Sequence, residues 1–517
     1  MTGDAVATPH RLSAEVGQKI LLEGGNAVDA AVAMVTAQGV VAPETCGLGG
    51  DLFALVHRPG WSVPKTLNSS GRAGSNADAA AIRRAGHTEI PGDHPAVVTV
   101  PGCVDGLVTL NRELGSRPLG ELLQPAIDLA TRGFEVSDEQ SRAFTRQSDV
   151  YRANPAISAF YPGGRPVSPG DHVTRSELAA TLTRLAATGD RDDFYLGTPG
   201  EDIVAALGGI ITMDDLARSQ AEWVDPLGVE VFGMTAWTTP PNSQGYLGPA
   251  SLAVFEILGP PDDPDDPAWW HLIIEAYRSM AWERDDLVAD PGALPMPPGL
   301  IVERSRLERA AASVTDSAGR WPEAMGRVSG TAYMCAADSD GMGVSIIQSN
   351  YRGTGSRFGA ARSGFLLHDR GSGFGLMPGH PNALAPGRRP LHTLSPTLWT
   401  RGEDPAWLIG TRGGAIQPQL VAQVAARALG GGADPVAALL APRWAMAEFG
   451  PGSGSVLAVE PGVPVAVLED LDRRGHLVTV LPEPQHGWGP VSMIGLQGER
   501  KVAAADPRLD TATALVF

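Results

Sequence analysis

VSGTAYMCAADSDG, residues 328–341, is the stretch on which the reading of the fold turns. A Pro- and Gly-punctuated passage stops at Gly330. TAYMCAA, the turn DSDG and MGVSIIQ then follow as two short apolar strands joined through Asp340-Gly341, which predicts a β-hairpin. A threonine suits the start of a strand. It also carries a hydroxyl, a poor nucleophile until a base takes its proton. A threonine inside a chain needs a neighbouring His or Lys for that task. A threonine at a chain terminus brings its own base, an α-amine with an ordinary pKa of roughly 7.7–8.0. Thr331 reaches that state only if the Gly330–Thr331 bond is cut. Glycine at 330 accepts the distorted backbone that attack on its own carbonyl requires. Gly-Thr before a strand is commonplace, so other parts of the chain must supply the chemistry.

Working outward, IGTRGGAIQPQ (409–419) places Gly413 and Gly414 between a strand and a helix, where their N–H groups can converge on a developing oxyanion. SNYRGTGSRFG (349–359), rich in hydroxyls and glycines, follows the second hairpin strand. RRPLHTLSPT (388–397) brings Arg, His and Thr up to another strand. Strands are also expected at 393–400 and 405–411, with a helix over 417–429 and a last strand pair near 465–498. In the N-terminal half, residues 10–40 read as a helix broken at Gly24-Gly25 and restarted by an Asn26 cap. Amphipathic helices are expected over 118–137 and 175–189, a capped helix over 211–227, and a long helix over 271–291. GLGG (47–50) precedes a strand, whereas a phosphate-binding glycine run follows one, so a close backbone approach is the better reading. Residues 292–330 are poor in pattern and read as an exposed connection.

Composition narrows the function. The 517 residues are 43% hydrophobic, enough for a large core, and the formal net charge of −18 disfavours nucleic acid and anionic membrane as partners. Cys46, Cys103 and Cys335 are too few and too scattered for a disulfide framework or a CxxC metal site. No signal peptide and no run of apolar residues long enough for a membrane span are visible, which sets a cytoplasmic protein as the expectation.

Taken together and in order, these stretches resemble the γ-glutamyltransferase family of N-terminal-nucleophile hydrolases over nearly the whole chain. The matching stretches are GGNAVDAAVA (24–33), CGLGGDLFALV (46–56), VPGCVDGL (100–107), PPNSQG (240–245), the Thr331 hairpin, PGHPNALAPGRRPLHTLSPT (378–397) and TRGGAIQPQ. IQSNYRGTG, GGDLFALV and PNALAPGRRPLHT look closer to its bacterial branch with oxamate amidohydrolase-like and cephalosporin acylase-like members. The resemblance implies an α+β fold, a four-layer αββα sandwich of two mostly antiparallel sheets with a helical part from the N-terminal fragment. It also implies a precursor that cuts itself into a large subunit, 1–330, and a small one, 331–517, intertwined in one domain as a heterodimer. By the same match Thr331 is the nucleophile, Ser349 the hydroxyl that supports it, and Gly413 and Gly414 the oxyanion pair. No metal or organic cofactor is implied.

The substrate pocket departs from the family pattern. The segment that carries a carboxylate-binding Arg in the true transferases reads NSSGRAG here, with Arg72 nearest. The stretch supplying an Asp for the substrate amino group reads LLHDRGSGF (366–374), with Asp369 and Arg370. The paired serines correspond to His392 and Thr393. Arg72 and Arg370, with Tyr351, Asp369, His392 and Thr393, are therefore expected to receive a small carboxylate-bearing acyl amide. Authentic γ-glutamyl transfer or glutathione hydrolysis, and hydrolysis of a C–C bond beside a carbonyl, stand as alternatives. An uncut, non-catalytic binding homologue is a more distant one.

Overall fold

The computed structural model describes residues 3–323, 325–448, 455–496 and 500–517. The predicted hairpin is present. Ala332–Ala337 and Gly343–Ser349 pair antiparallel with Ala337 opposite Gly343 and Ala332 opposite Gln348. Side chains alternate along a strand, and here both faces are covered. Tyr333, Cys335 and Ala337 point into a layer shared with Leu398, Leu408 and Ile494 of a second sheet. Ala332, Met334 and Ala336 point the other way, into a helical layer.

The hairpin lies at the centre of a seven-stranded sheet ordered Thr513–Val516, Ala5–Thr8, Ala332–Ala337, Gly343–Ser349, Asp51–His57, Lys65–Ser69, Glu222–Val224. The second sheet has six strands, ordered Val502–Ala505, Val491–Gly495, Asp404–Thr411, Thr397–Arg401, Met234–Thr238, Leu227–Val231. Neighbours are antiparallel throughout both. Each sheet draws strands from before and after Thr331.

The outer face of the first sheet is covered by helices that include Arg11–Leu22 and Ala27–Val41. The latter is buried along its whole length. Asn26 starts it with a capping box: its side chain accepts from the Asp29 N–H, and the Asp29 carboxylate accepts from the Asn26 N–H. Leu247–Ile257, Pro267–Ala281 and Gln417–Ala425 cover the outer face of the second sheet, against Trp399, Ile409 and Met493. The result is the αββα sandwich of an α+β fold.

Three local expectations change. The capped helix expected over 211–227 is confined to Met213–Ala217, and Glu222–Val224 is an edge strand of the first sheet. The strand pair near 465–498 is instead a helix, Val465–Arg473, followed by strands Val478–Val480 and Val491–Gly495. Val467 and Leu471, four apart among charged neighbours, give that segment one buried stripe, which is a helical pattern. The 292–330 connection contains a helix, Arg304–Ala312, and its last residues run inward. The Gly326 carbonyl accepts from the Glu448 N–H (3.0 Å) and the Arg327 carbonyl from the Ala415 N–H (3.1 Å).

Candidate active site

Thr331 sits immediately before the hairpin's first strand and is 1% exposed. Its Oγ1 donates to the Gly330 carbonyl oxygen at 2.5 Å. Ser349, the last residue of the second strand, donates its Oγ to the same oxygen at 2.9 Å and lies 3.2 Å from Thr331 Oγ1. The hairpin register brings these two ends together, because the chain leaves at 331 where the partner strand finishes at 349. The Tyr351 N–H in turn donates to Ser349 Oγ at 2.8 Å. Two hydroxyls thus polarise one carbonyl, and one of them belongs to the residue that forms the peptide bond with it.

The expected close approach at GLGG is real. A Cβ on Gly49 would stand 2.1 Å from the Leu366 carbonyl oxygen, and one on Gly50 2.5 Å from that of Ser349. A side chain at Gly50 would push away the strand end that carries Ser349.

Gly413 and Gly414 form the turn after strand Asp404–Thr411, with φ of 131° and 59°, a region that favours glycine. A Cβ on Gly414 would meet Ser329 Oγ at 2.3 Å, so the residues just before the Gly330–Thr331 bond lie directly on this turn. Gln417 opens the following helix. Its Oε1 accepts from the Ser395 N–H (3.0 Å), and its Nε2 donates to Thr331 Oγ1 (3.3 Å). Gln244, from PPNSQG, holds the turn from behind, donating to the Gly414 and Ala415 carbonyls at 3.1 and 3.3 Å and accepting from Arg284 Nε at 2.9 Å.

Most of the expected pocket residues come together beside this centre. The Arg370 guanidinium stacks on the Tyr351 ring at 3.6 Å and donates Nη2 to Thr393 Oγ1 at 3.3 Å. It is 1% exposed, and its Nη1 has no partner among the described residues. Burial lowers its pKa from the usual arginine value. Tyr351 is held at φ 75°, an uncommon conformation for a residue with a side chain. Asp369 is half-buried and already engaged: its Oδ1 accepts from the Arg352 N–H (2.9 Å), and desolvation raises its pKa. Arg72 turns to Glu222, an ion-pair partner it shares with Arg389, and to the Gln220 side chain.

His392 is neutral. Its Nδ1 accepts from the Leu394 N–H (3.3 Å), so Nε2 carries the proton and donates to Asp51 Oδ2 at 3.0 Å. Burial, aided by the Arg370 charge, lowers its pKa to about 3. Asp51 is also fully buried. Its Oδ1 accepts from the Gly71 and Gly102 N–H groups, and His368 Nδ1 stands 3.4 Å from Oδ2. Burial alone would raise this carboxyl; the two histidines outweigh it and hold the pKa well below the usual carboxylate range. A cleft of about 330 Å³, lined by Tyr351, Arg352, Arg284, Arg327 and Glu448 among others, opens next to the cluster.

The chain and its fold have known counterparts. Residues 13–516 match the family model described as gamma-glutamyltranspeptidase. The chain belongs to that family. It is 34% identical over 520 residues to a glutathione hydrolase-like YwrD proenzyme of Bacillus subtilis (strain 168), covering 99% of this chain and 98% of that protein. It is equally, 34%, identical over 524 residues to an oxamate amidohydrolase proenzyme of Klebsiella pneumoniae, again covering 99% and 98%. Among solved structures, a cephalosporin acylase from Bacillus halodurans superposes with a TM-score of 0.90 at 31% identity, covering 99% of this chain and 95% of that one. The protein is thus an enzyme of the N-terminal-nucleophile hydrolase and transferase type, within the amidohydrolase and acyltransferase chemistry of the gamma-glutamyltranspeptidase family.

Sequence reasoning missed Asp51, His368, Gln244 and Gln417. Each had a signal: a polar residue inside an otherwise apolar or glycine-rich stretch, GGDLFALV, LLHDRG, PPNSQG and GGAIQPQ, that the fold buries.

Proposed function

We propose that the protein is a self-processing amidohydrolase that cleaves a small carboxylate-bearing acyl amide through an acyl-Thr331 intermediate. The observation that carries this reading is the convergence of the Thr331 and Ser349 hydroxyls on the Gly330 carbonyl oxygen at 2.5 and 2.9 Å. In the first step Thr331 Oγ1 bonds to the Gly330 carbonyl carbon, the C–N bond breaks, and the hydroxyl proton ends on the threonine nitrogen. Water then hydrolyses the resulting ester, leaving a Gly330 carboxylate, a free Thr331 amine and a restored hydroxyl. The large fragment, 1–330, and the small one, 331–517, stay together as a heterodimer because each sheet takes strands from both.

In turnover the freed amine is the general base and Thr331 Oγ1 the nucleophile. The Gly413 and Gly414 N–H groups receive the oxyanion once the 326–330 segment has left them. Arg370, whose buried Nη1 has no partner among the described residues, is the receptor for a substrate carboxylate, with Tyr351 and Thr393 fixing its plane. A buried guanidinium favours an anionic group over an ammonium, which supports amide hydrolysis above transfer of an α-amino acid head. Two of the relatives, an oxamate amidohydrolase and a cephalosporin acylase, fit that choice.

The test is a denaturing gel with mass spectrometry of the purified protein, then turnover of γ-glutamyl, glutaryl and oxamate amides. Two chains are expected, the smaller beginning Thr-Ala-Tyr, and Thr331→Ala gives one inactive chain. Activity surviving that change, or γ-glutamyl release faster than the other two, overturns the respective half of the proposal.

A further inference from the structure

The geometry points to Gln417 as a further catalytic residue, whose side-chain N–H stabilises negative charge on the nucleophilic oxygen of Thr331. This rests on the self-cleavage reading above. The amide orientation follows from its partners. The Ser395 N–H can only donate, so the atom facing it is Oε1, and the NH₂ group therefore faces Thr331 Oγ1. Both Gln417 and Thr331 are buried, at 0% and 1% exposure, so water does not compete for this contact.

Thr331 Oγ1 already directs its own proton toward the Gly330 carbonyl oxygen, so the Gln417 N–H meets a lone pair. In the resting state this is a long, neutral contact of 3.3 Å. As the proton leaves Oγ1 and the bond to the carbonyl carbon forms, charge grows on that oxygen and the contact strengthens. The same occurs in reverse when the acyl-threonine is hydrolysed and the alkoxide departs. An interaction stronger in the transition state than in the ground state is one that raises rate. Gln417 follows the Gly413–Gly414 turn by three residues, so one local structure would supply donors to both oxygens that change charge.

Two substitutions separate this role from packing. Gln417→Met keeps the side-chain length and removes both polar ends. Gln417→Glu keeps the acceptor for Ser395 and retains a donor toward Thr331 only while protonated. Each is made as the full chain and followed from the end of synthesis by the appearance of the fragment that begins at Thr331; thermal unfolding is measured in parallel on chains that also carry Thr331→Ala. Gln417→Met is expected to slow self-cleavage by about 10²–10³-fold. Gln417→Glu is expected to cut faster as pH falls and to lose cleavage as its carboxyl ionises, a limb absent from the wild type. Cleavage by Gln417→Met within about threefold of wild type, or a Gln417→Glu rate that rises with pH, overturns the assignment of Gln417 and leaves Thr331 as nucleophile untouched. A wild-type chain that never cuts overturns both.

Discussion

Replacing Ser349 by alanine tests the centre most directly. The change removes one of two donors on the Gly330 carbonyl oxygen, at 2.9 Å, and leaves the Tyr351 N–H without its acceptor at 2.8 Å. In the folded ground state each neutral hydrogen bond contributes only about 0.5–1.5 kcal/mol net. In the tetrahedral state that precedes C–N cleavage the same oxygen carries most of a negative charge. Loss of one preorganised donor there costs about 10²–10³ in rate, or roughly 2.7–4 kcal/mol. The expected signature is therefore a split, with self-cleavage falling at least a hundredfold while the unfolding temperature drops by only a few degrees. Time-resolved denaturing gels give the first quantity and calorimetry of chains that also carry Thr331→Ala gives the second. Ser349→Thr, which restores the hydroxyl at the cost of one added methyl group, should recover most of the rate. Self-cleavage of Ser349→Ala within about threefold of wild type would refute the reasoning, since the Gly330 carbonyl would then need no second hydroxyl.

Two further outcomes concern buried charge. Asp51→Asn sets an amide NH₂ against the His392 Nε2–H, and flipping that imidazole's tautomer only moves the conflict to the Leu394 N–H; a loss of roughly 3 kcal/mol is expected in denaturant unfolding, and an unchanged midpoint contradicts the network as described. Glu44 is held protonated, its pKa raised from 4.5 to about 8 by burial and by neighbouring Glu139. Its folded pKa lies above its unfolded one, so the stability it contributes is fully present below about pH 4.5 and is lost as pH rises through about 8. Wild type should lose unfolding temperature between about pH 5 and 8, and Glu44→Gln should flatten that slope; parallel slopes would show that Glu44 ionises freely in the fold.

Many of the helices and strands were legible because their signals are local and periodic, while the four-layer arrangement came from the family resemblance. Asn26 capping an apolar helix, the Asp340-Gly341 turn and the glycines of GLGG each have one economical structural reading. The 465–498 region misled because short apolar runs fit helix and strand alike, and only the spacing of Val467 and Leu471 against their charged neighbours separates them. At the centre, Thr331, Ser349 and the Gly413–Gly414 turn could be named from residue types at chain positions that the resemblance supplied. The pocket was less legible, since a side chain's partner is not written in its own segment. Arg72 and Arg370 looked alike as sequence, yet one finds a glutamate 150 residues away and the other finds an aromatic face and keeps a donor nitrogen unpaired among the described residues. Gln417 escaped notice for the same reason: its importance comes from a distance of 3.3 Å to a residue 86 positions earlier.

The strands Ala5–Thr8 and Thr513–Val516 lie side by side, and Asp4 and Phe517 exchange two backbone hydrogen bonds at 2.7 and 3.0 Å. The stretch from Asp4 to Phe517 is therefore almost a ring, open only at that edge. A short linker across the interruption would allow the ring to be opened at another point, between Gly330 and Thr331, by circular permutation. Such a chain would present Thr331 as its first residue once the initiator methionine was trimmed, with every strand pairing preserved. Maturation and catalysis, which the proposed mechanism assigns to one threonine, would then become separable, and residues needed only for the cut would reveal themselves by becoming dispensable.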